Sequence, residues 1–120
     1  MAIVLGPHLF VTSYTDNMVV RLPWPSCDHV DGAVKVRRPR GITTLDGLLY
    51  VACYGHPMGH VVAIDPHHMV ISHSFLAFRP RGIAQWRGQI IVTEVNRGRV
   101  RAYSTHGRVL QTWKGLREPR

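Results

Sequence analysis

Read for hydrophobic and polar positions, the chain is a series of apolar runs four to seven residues long, separated by Gly, Pro, Asn, Asp and His. Runs rich in Val, Ile, Leu and Tyr with this punctuation predict short strands joined by tight turns. No stretch keeps a 3.6-residue period between helix caps, so helices are not expected.

The runs recur. Arg38-Pro39-Arg40-Gly41-Ile42 returns as Arg79-Pro80-Arg81-Gly82-Ile83, a spacing of 41. A turn glycine follows each copy, Gly47 and Gly88, and then an apolar run, residues 48–52 and 89–93. After a polar loop come residues 60–65 in one copy and 99–104 in the other, then 69–72 against 108–111. The N-terminal part fits the same template at an offset of 81: residues 9–12 lie over 90–93, and 18–22 over 99–103. An extra loop, residues 23–29, interrupts this first unit before it rejoins the pattern at 31–36. The chain thus divides into three units, about 1–37, 38–78 and 79–120, forming one domain. Each unit predicts four strands, and its second strand is apolar on both sides, as for a strand sandwiched between neighbouring sheets. Four strands in about 40 residues is the arithmetic of a β-propeller blade. The fold class expected is all-β, a partial β-propeller of three four-stranded antiparallel blades. HEAT and armadillo repeats share the period but are helical.

The sequence of Pro-x-Gly-Ile, Gly-x-hydrophobic-hydrophobic-Val, a polar loop, Arg-Val-x-x-Tyr and a closing Gly resembles the NHL-type propeller repeat. The third unit carries it best, in Pro80-Arg81-Gly82-Ile83, residues 88–96, residues 99–103 and residues 106–109. Cys53 and Ser13 stand where this unit has Glu94. The resemblance implies six blades, and three cannot close a ring. Each end blade would then expose a face built to pack on a neighbour, and apolar burial is worth roughly 25 cal/mol per Å². Two chains pairing into a six-bladed ring, a longer propeller of which this is a piece, or a short stack leaning on another protein would each cover those faces. Ile42, Leu49, Val51, Val62, Ile64, Ile83, Ile91, Val92, Val100 and Val109 are expected to pack between blades, with Trp86 in the core. Trp24 and Trp113 are expected to cover edges. Gly41 and Gly82 would let the innermost strands approach one another.

Charge narrows the function. Fifteen Lys and Arg, thirteen of them Arg, oppose seven Asp and Glu, a net charge of +8. Such a surface favours anionic partners. In propellers, ligands collect on the face built by inter-blade loops and by the loops between strands two and three. That mapping places Arg37, Arg38, Arg40, Arg79, Arg81 and Arg97 there, with Arg99 near the rim, and Tyr54, His56 and Tyr14 in the matching loops. Guanidinium groups bind phosphates and carboxylates through paired hydrogen bonds, and some NHL propellers bind single-stranded RNA on this face. The reading is a non-catalytic binding scaffold for an acidic protein segment or single-stranded RNA. Arg40 and Arg81 pairing with blade carboxylates on a solvated surface is the plainer account of the same arginines.

The alternative is a metal-dependent, lactonase-like six-bladed enzyme formed by dimerisation or lost with the missing blades. Glu94 and Asn96 are the only acid and amide close together in such a loop, and both match the repeat. Cys53, His56, His60, His67 and His68 have no recognised zinc spacing. No phosphate loop or dinucleotide fingerprint occurs. No cofactor is expected. Cys27 and Cys53 allow one bridge at most and are expected to be free thiols. No apolar run approaches the roughly 20 residues of a spanning helix, and the opening apolar residues stop at Gly6-Pro7 without a preceding basic residue. A cytoplasmic protein without membrane partners is the expectation.

Overall fold

A computed structural model describes residues 1–55, 57–94 and 98–114. They form twelve strands and, among the described residues, no helix. The first sheet holds β1 (Ala2–Leu5), β2 (His8–Ser13), β3 (Met18–Pro23) and β4 (Gly32–Lys35). The second holds β5 (Pro39–Leu45), β6 (Leu48–Cys53), β7 (Met58–Asp65) and β8 (Val70–Phe78). The third holds β9 (Pro80–Trp86), β10 (Gln89–Glu94), β11 (Arg99–Tyr103) and β12 (Val109–Trp113). Within each sheet every strand pairs antiparallel with the next in sequence. These are three blades of a partial β-propeller. No helix of the described residues is long and apolar enough to cross a membrane.

The blades stack through two seams. Blade 2 turns Ile42, Leu49, Val51, Cys53, Val62 and Ile64 toward blade 1, where Ile3, Leu5, Phe10, Val19 and Val34 meet them. Blade 3 turns Ile83, Ile90, Val92 and Tyr103 toward blade 2, onto Leu45, Leu48, Tyr50, Val61, Ala63, Phe75 and Ala77. Alternation along a strand sends successive side chains to opposite faces. The face meeting the preceding blade is here the leading face, and the opposite one the trailing face. Five consecutive residues of β6, from Leu49 to Cys53, are buried because blade 2 is covered on both sides. In β10 only every second residue is buried, since blade 3 has a neighbour on one side.

That one-sidedness corrects part of the expected core. Trp86 is 57% exposed and Val109 44% exposed. Ile91 and Val100 are only partly buried. Trp86, Ile91 and Val100 belong to the trailing face of blade 3, on which no other blade packs among the described residues, and Val109 lies on the outermost strand. Trp24 and Trp113 stand 45% and 40% exposed. Gly41 does permit close approach: a Cβ there would lie 2.8 Å from the carbonyl oxygen of Arg81 on the neighbouring innermost strand. Both cysteines are free.

Candidate basic binding face

Inter-blade loops and β2–β3-type turns are stitched together at one end of the blades. Asn17, in the turn after β2, accepts from the Val36 amide through its backbone oxygen (3.2 Å) and from the Arg38 amide through Oδ1 (2.9 Å). The Arg38 carbonyl in turn accepts from the Tyr54 amide at 3.0 Å. One connection therefore links the β2–β3 turn of blade 1 to the β6–β7 loop of blade 2. Arg38 has φ 48° and its repeat partner Arg79 φ 40°. Left-handed backbone at a non-glycine residue costs about 1 kcal/mol or more. The same arginine takes the same unfavourable conformation in both connections.

Just beyond each connection the pairing slips. The β5–β6 register shifts between Pro39 and Ile42, and the β9–β10 register shifts between Val92 and Glu94, opposite Pro80. Such irregularities bend a strand and redirect its side chains, and here they fall at Arg40-Gly41 and Arg81-Gly82. The Arg40 guanidinium carbon lies 4.3 Å from the Tyr14 ring centre and 5.5 Å from that of Tyr54. Tyr14 and Tyr54 occupy matching positions in blades 1 and 2, so this arginine sits between aromatic rings from two repeats. The Thr12 hydroxyl donates to the Arg40 carbonyl at 2.8 Å and fixes the strand beneath.

Two clefts adjoin this stack. One, of about 390 Å³, is lined by Arg37, Arg38, Tyr54, His60, Cys53 and Met58 among others. The second, of about 530 Å³, lies along the innermost strands and is lined by Arg40, Arg81, Gly41, Gly82, Thr93 and Met1 among others. Among the described residues neither lining includes a carboxylate. Arg37, Arg38 and Arg81 are exposed and Arg40 is half-buried. Among the described residues no carboxylate pairs with Arg40 or Arg81. Burial pushes the Cys53 thiol up to about 12. It stays protonated at neutral pH and is a poor nucleophile.

The remaining arginines divide differently. Arg79 and Arg99 place their guanidinium carbons 5.7 and 5.9 Å from the Phe78 ring centre. Arg99 Nε also donates to Glu94 Oε1. Glu94 is fully buried, accepts from the Tyr103 hydroxyl at 3.1 Å and has Arg101 Nε at 3.8 Å. Burial, and then the Glu94 charge, hold the Tyr103 phenol above its usual pKa. Arg99 is therefore tied into a seam and is not a free rim cation. Arg97, His56 and Asn96 lie outside the described residues.

Two structural arginines escaped sequence reasoning. Arg21 binds Asp31 at 2.9 Å and donates to the carbonyls of Pro66 (3.0 Å) and His67 (2.8 Å), bracketing blade 1 to blade 2. That contact holds the Asp31 carboxyl below its usual range. Arg101 faces Glu94 because β11 pairs with β10 in this register. Their positions in the central strands of their blades were the only signal. Among the described residues no group of three or more His, Cys, Asp or Glu is placed to hold a metal ion.

No family model and no curated protein matches the chain. Solved structures do. Hydrazine synthase from Kuenenia stuttgartiensis superposes with TM-score 0.77 at 17% identity, over 92% of this chain and 33% of that one. BamB from Moraxella catarrhalis gives 0.76 at 15% identity, over 98% and 34%. Glutaminyl cyclase from Myxococcus xanthus gives 0.70 at 12% identity, over 92% and 50%. At these identities the likeness concerns the fold alone. The chain spans a third to a half of the length of these β-propeller structures.

Proposed function

We propose that this chain is a non-catalytic, NHL-like propeller segment whose basic face binds single-stranded RNA. The observation that carries the reading is Arg40 held between Tyr14 and Tyr54, beside clefts walled by Arg37, Arg38 and Arg81 with no acid among the described residues of their linings. Single strands are bound by a cationic groove that follows the phosphates together with flat groups on which bases stack. A guanidinium plane and two phenol rings supply the flat groups, and the exposed arginines supply the charge. The repeat pattern shared with NHL propellers, some of which take single-stranded RNA on the corresponding face, supports the same reading. Arg97 and His56 belong to it by their sequence positions.

Fluorescence anisotropy with a short single-stranded RNA at several salt concentrations tests the proposal. Each phosphate contact contributes about −0.7 to the log–log salt slope. The double variant Arg38→Gln/Arg81→Gln should flatten the slope by about 1.4. Tyr14→Ala should weaken binding by about 1–3 kcal/mol. Absence of binding at low salt, or affinity indifferent to these substitutions, overturns the reading. An acidic peptide that binds where RNA does not would transfer the face to a protein partner.

A further inference from the structure

We infer that a second copy of this chain covers the two open blade faces, closing a six-bladed ring with two-fold symmetry. The inference rests on the seams and not on the RNA reading. On the trailing face of blade 3, Trp86, Ile91, Val100 and Trp113 line an apolar recess of about 430 Å³. Register and repeat spacing match these four to Leu45, Tyr50, Val61 and Phe75 of blade 2. All four of those belong to the cluster that packs onto blade 3.

The leading face of blade 1 repeats the relation. Ala2, Leu9, Val11, Val20 and Leu22 share one face by register. They match Ile42, Leu49, Val51, Val62 and Ile64 of blade 2, every one of them in the seam with blade 1. Leu9, Val11, Val20 and Leu22 are only partly buried, and nearby Val4 is 44% exposed. Among the described residues the chain thus displays one trailing face and one leading face without a blade against it, the two halves of an interface it forms twice internally.

A second copy carries both halves at the same separation by construction. Blade 3 of each copy meets blade 1 of the other, and the two new seams are equivalent under the two-fold axis. A foreign partner would need to present both faces independently, at that same spacing. Association is driven by apolar burial between two chains each of net charge +8. It should therefore strengthen with salt as the repulsion is screened, the opposite of the dependence expected for RNA.

Sedimentation equilibrium of the full chain, with tryptophan emission recorded in parallel, tests this. The expected particle has twice the 13.6 kDa chain mass, and its emission shifts to the blue as Trp86 and Trp113 leave water. Trp86→Glu and Val20→Glu lie on opposite open faces. Each should weaken association about 100-fold or more while far-UV circular dichroism stays that of a β-protein. An equimolar mixture of the two variants retains one seam with native residues on both sides, and should associate more tightly than either variant alone. A folded particle of single-chain mass at every concentration overturns the inference. So does a dimer indifferent to both substitutions, or an open-ended series of larger oligomers.

Discussion

The two seams of this protein occupy equivalent places and are built differently. Where β6 ends, blade 2 puts Cys53 on its leading face, with His60 and Val62 at the matching places on β7. Blade 3 puts Glu94, Arg99 and Arg101 there. Ile64 in the first seam corresponds to Tyr103 in the second. The blade 1–2 seam is consequently apolar at this level, while the blade 2–3 seam buries a carboxylate with a hydrogen-bonded arginine, a second arginine and a phenol. A propeller seam thus tolerates packing or a buried ion cluster at one site, provided the partners change together. A lone Glu at position 53 would meet His60 and Val62 at the β7 places where blade 3 has two arginines. Toward their outer strands the seams diverge again. Arg21 clasps two carbonyls across the first. His73 stacks on His106 at 4.3 Å across the second, where its Nε2 lies 2.8 Å from the Thr105 carbonyl. Beside them Gly107, at φ 94°, lies so close to Phe75 that a Cβ would fall 2.4 Å from its side chain.

The largest effect should come from breaking the ion cluster. Glu94→Ala strands two arginines at the seam, and breaking a buried pair by removing one partner costs about 3–5 kcal/mol. Denaturant titration should show this loss. Leu49→Ala in the apolar seam should cost about 3 kcal/mol, from lost burial and the cavity left behind. Equal sensitivity of the two losses to added salt would erase the distinction drawn between the seams.

A smaller effect separates them by pH. The folded Cys53 thiol is raised from 9.0 to about 12, so its contribution is fully present below pH 9 and is lost as pH rises toward 12. The Tyr103 phenol is also raised from its usual 10.0, and its contribution is lost on the alkaline side of pH 10. Cys53→Ala should cost about 1 kcal/mol at neutral pH and flatten the fall in stability that begins near pH 9. A fall unchanged by Cys53→Ala would assign the alkaline loss to the Tyr103 seam.

The smallest effect concerns the loops above the seams. Arg38→Asn keeps a residue that tolerates positive φ and should change stability by no more than about 0.5 kcal/mol, while removing a cation from the first cleft. A loss above about 1 kcal/mol would make Arg38 a structural part of the first seam, as Arg99 is of the second.

The repeat of about 41 residues, the four strands per unit and their antiparallel arrangement in blades were all legible in the chain. They follow from local periodicity and turn chemistry, which neighbouring residues determine. The arginines of the inter-blade connections were legible as well, because the motif holding them recurs. What the chain did not reveal is which apolar faces are covered. Ile91 and Tyr50 hold equivalent places, yet one lines an open recess and the other is buried, because burial depends on the next blade and not on the strand. The division of the arginines was likewise tertiary. Arg40 lies between tyrosines from two blades, Arg99 lies against Glu94 across a hairpin, and Arg21 reaches carbonyls 45 and 46 residues away. Their partners come from strand register and blade stacking, which bring together groups that sequence proximity leaves apart.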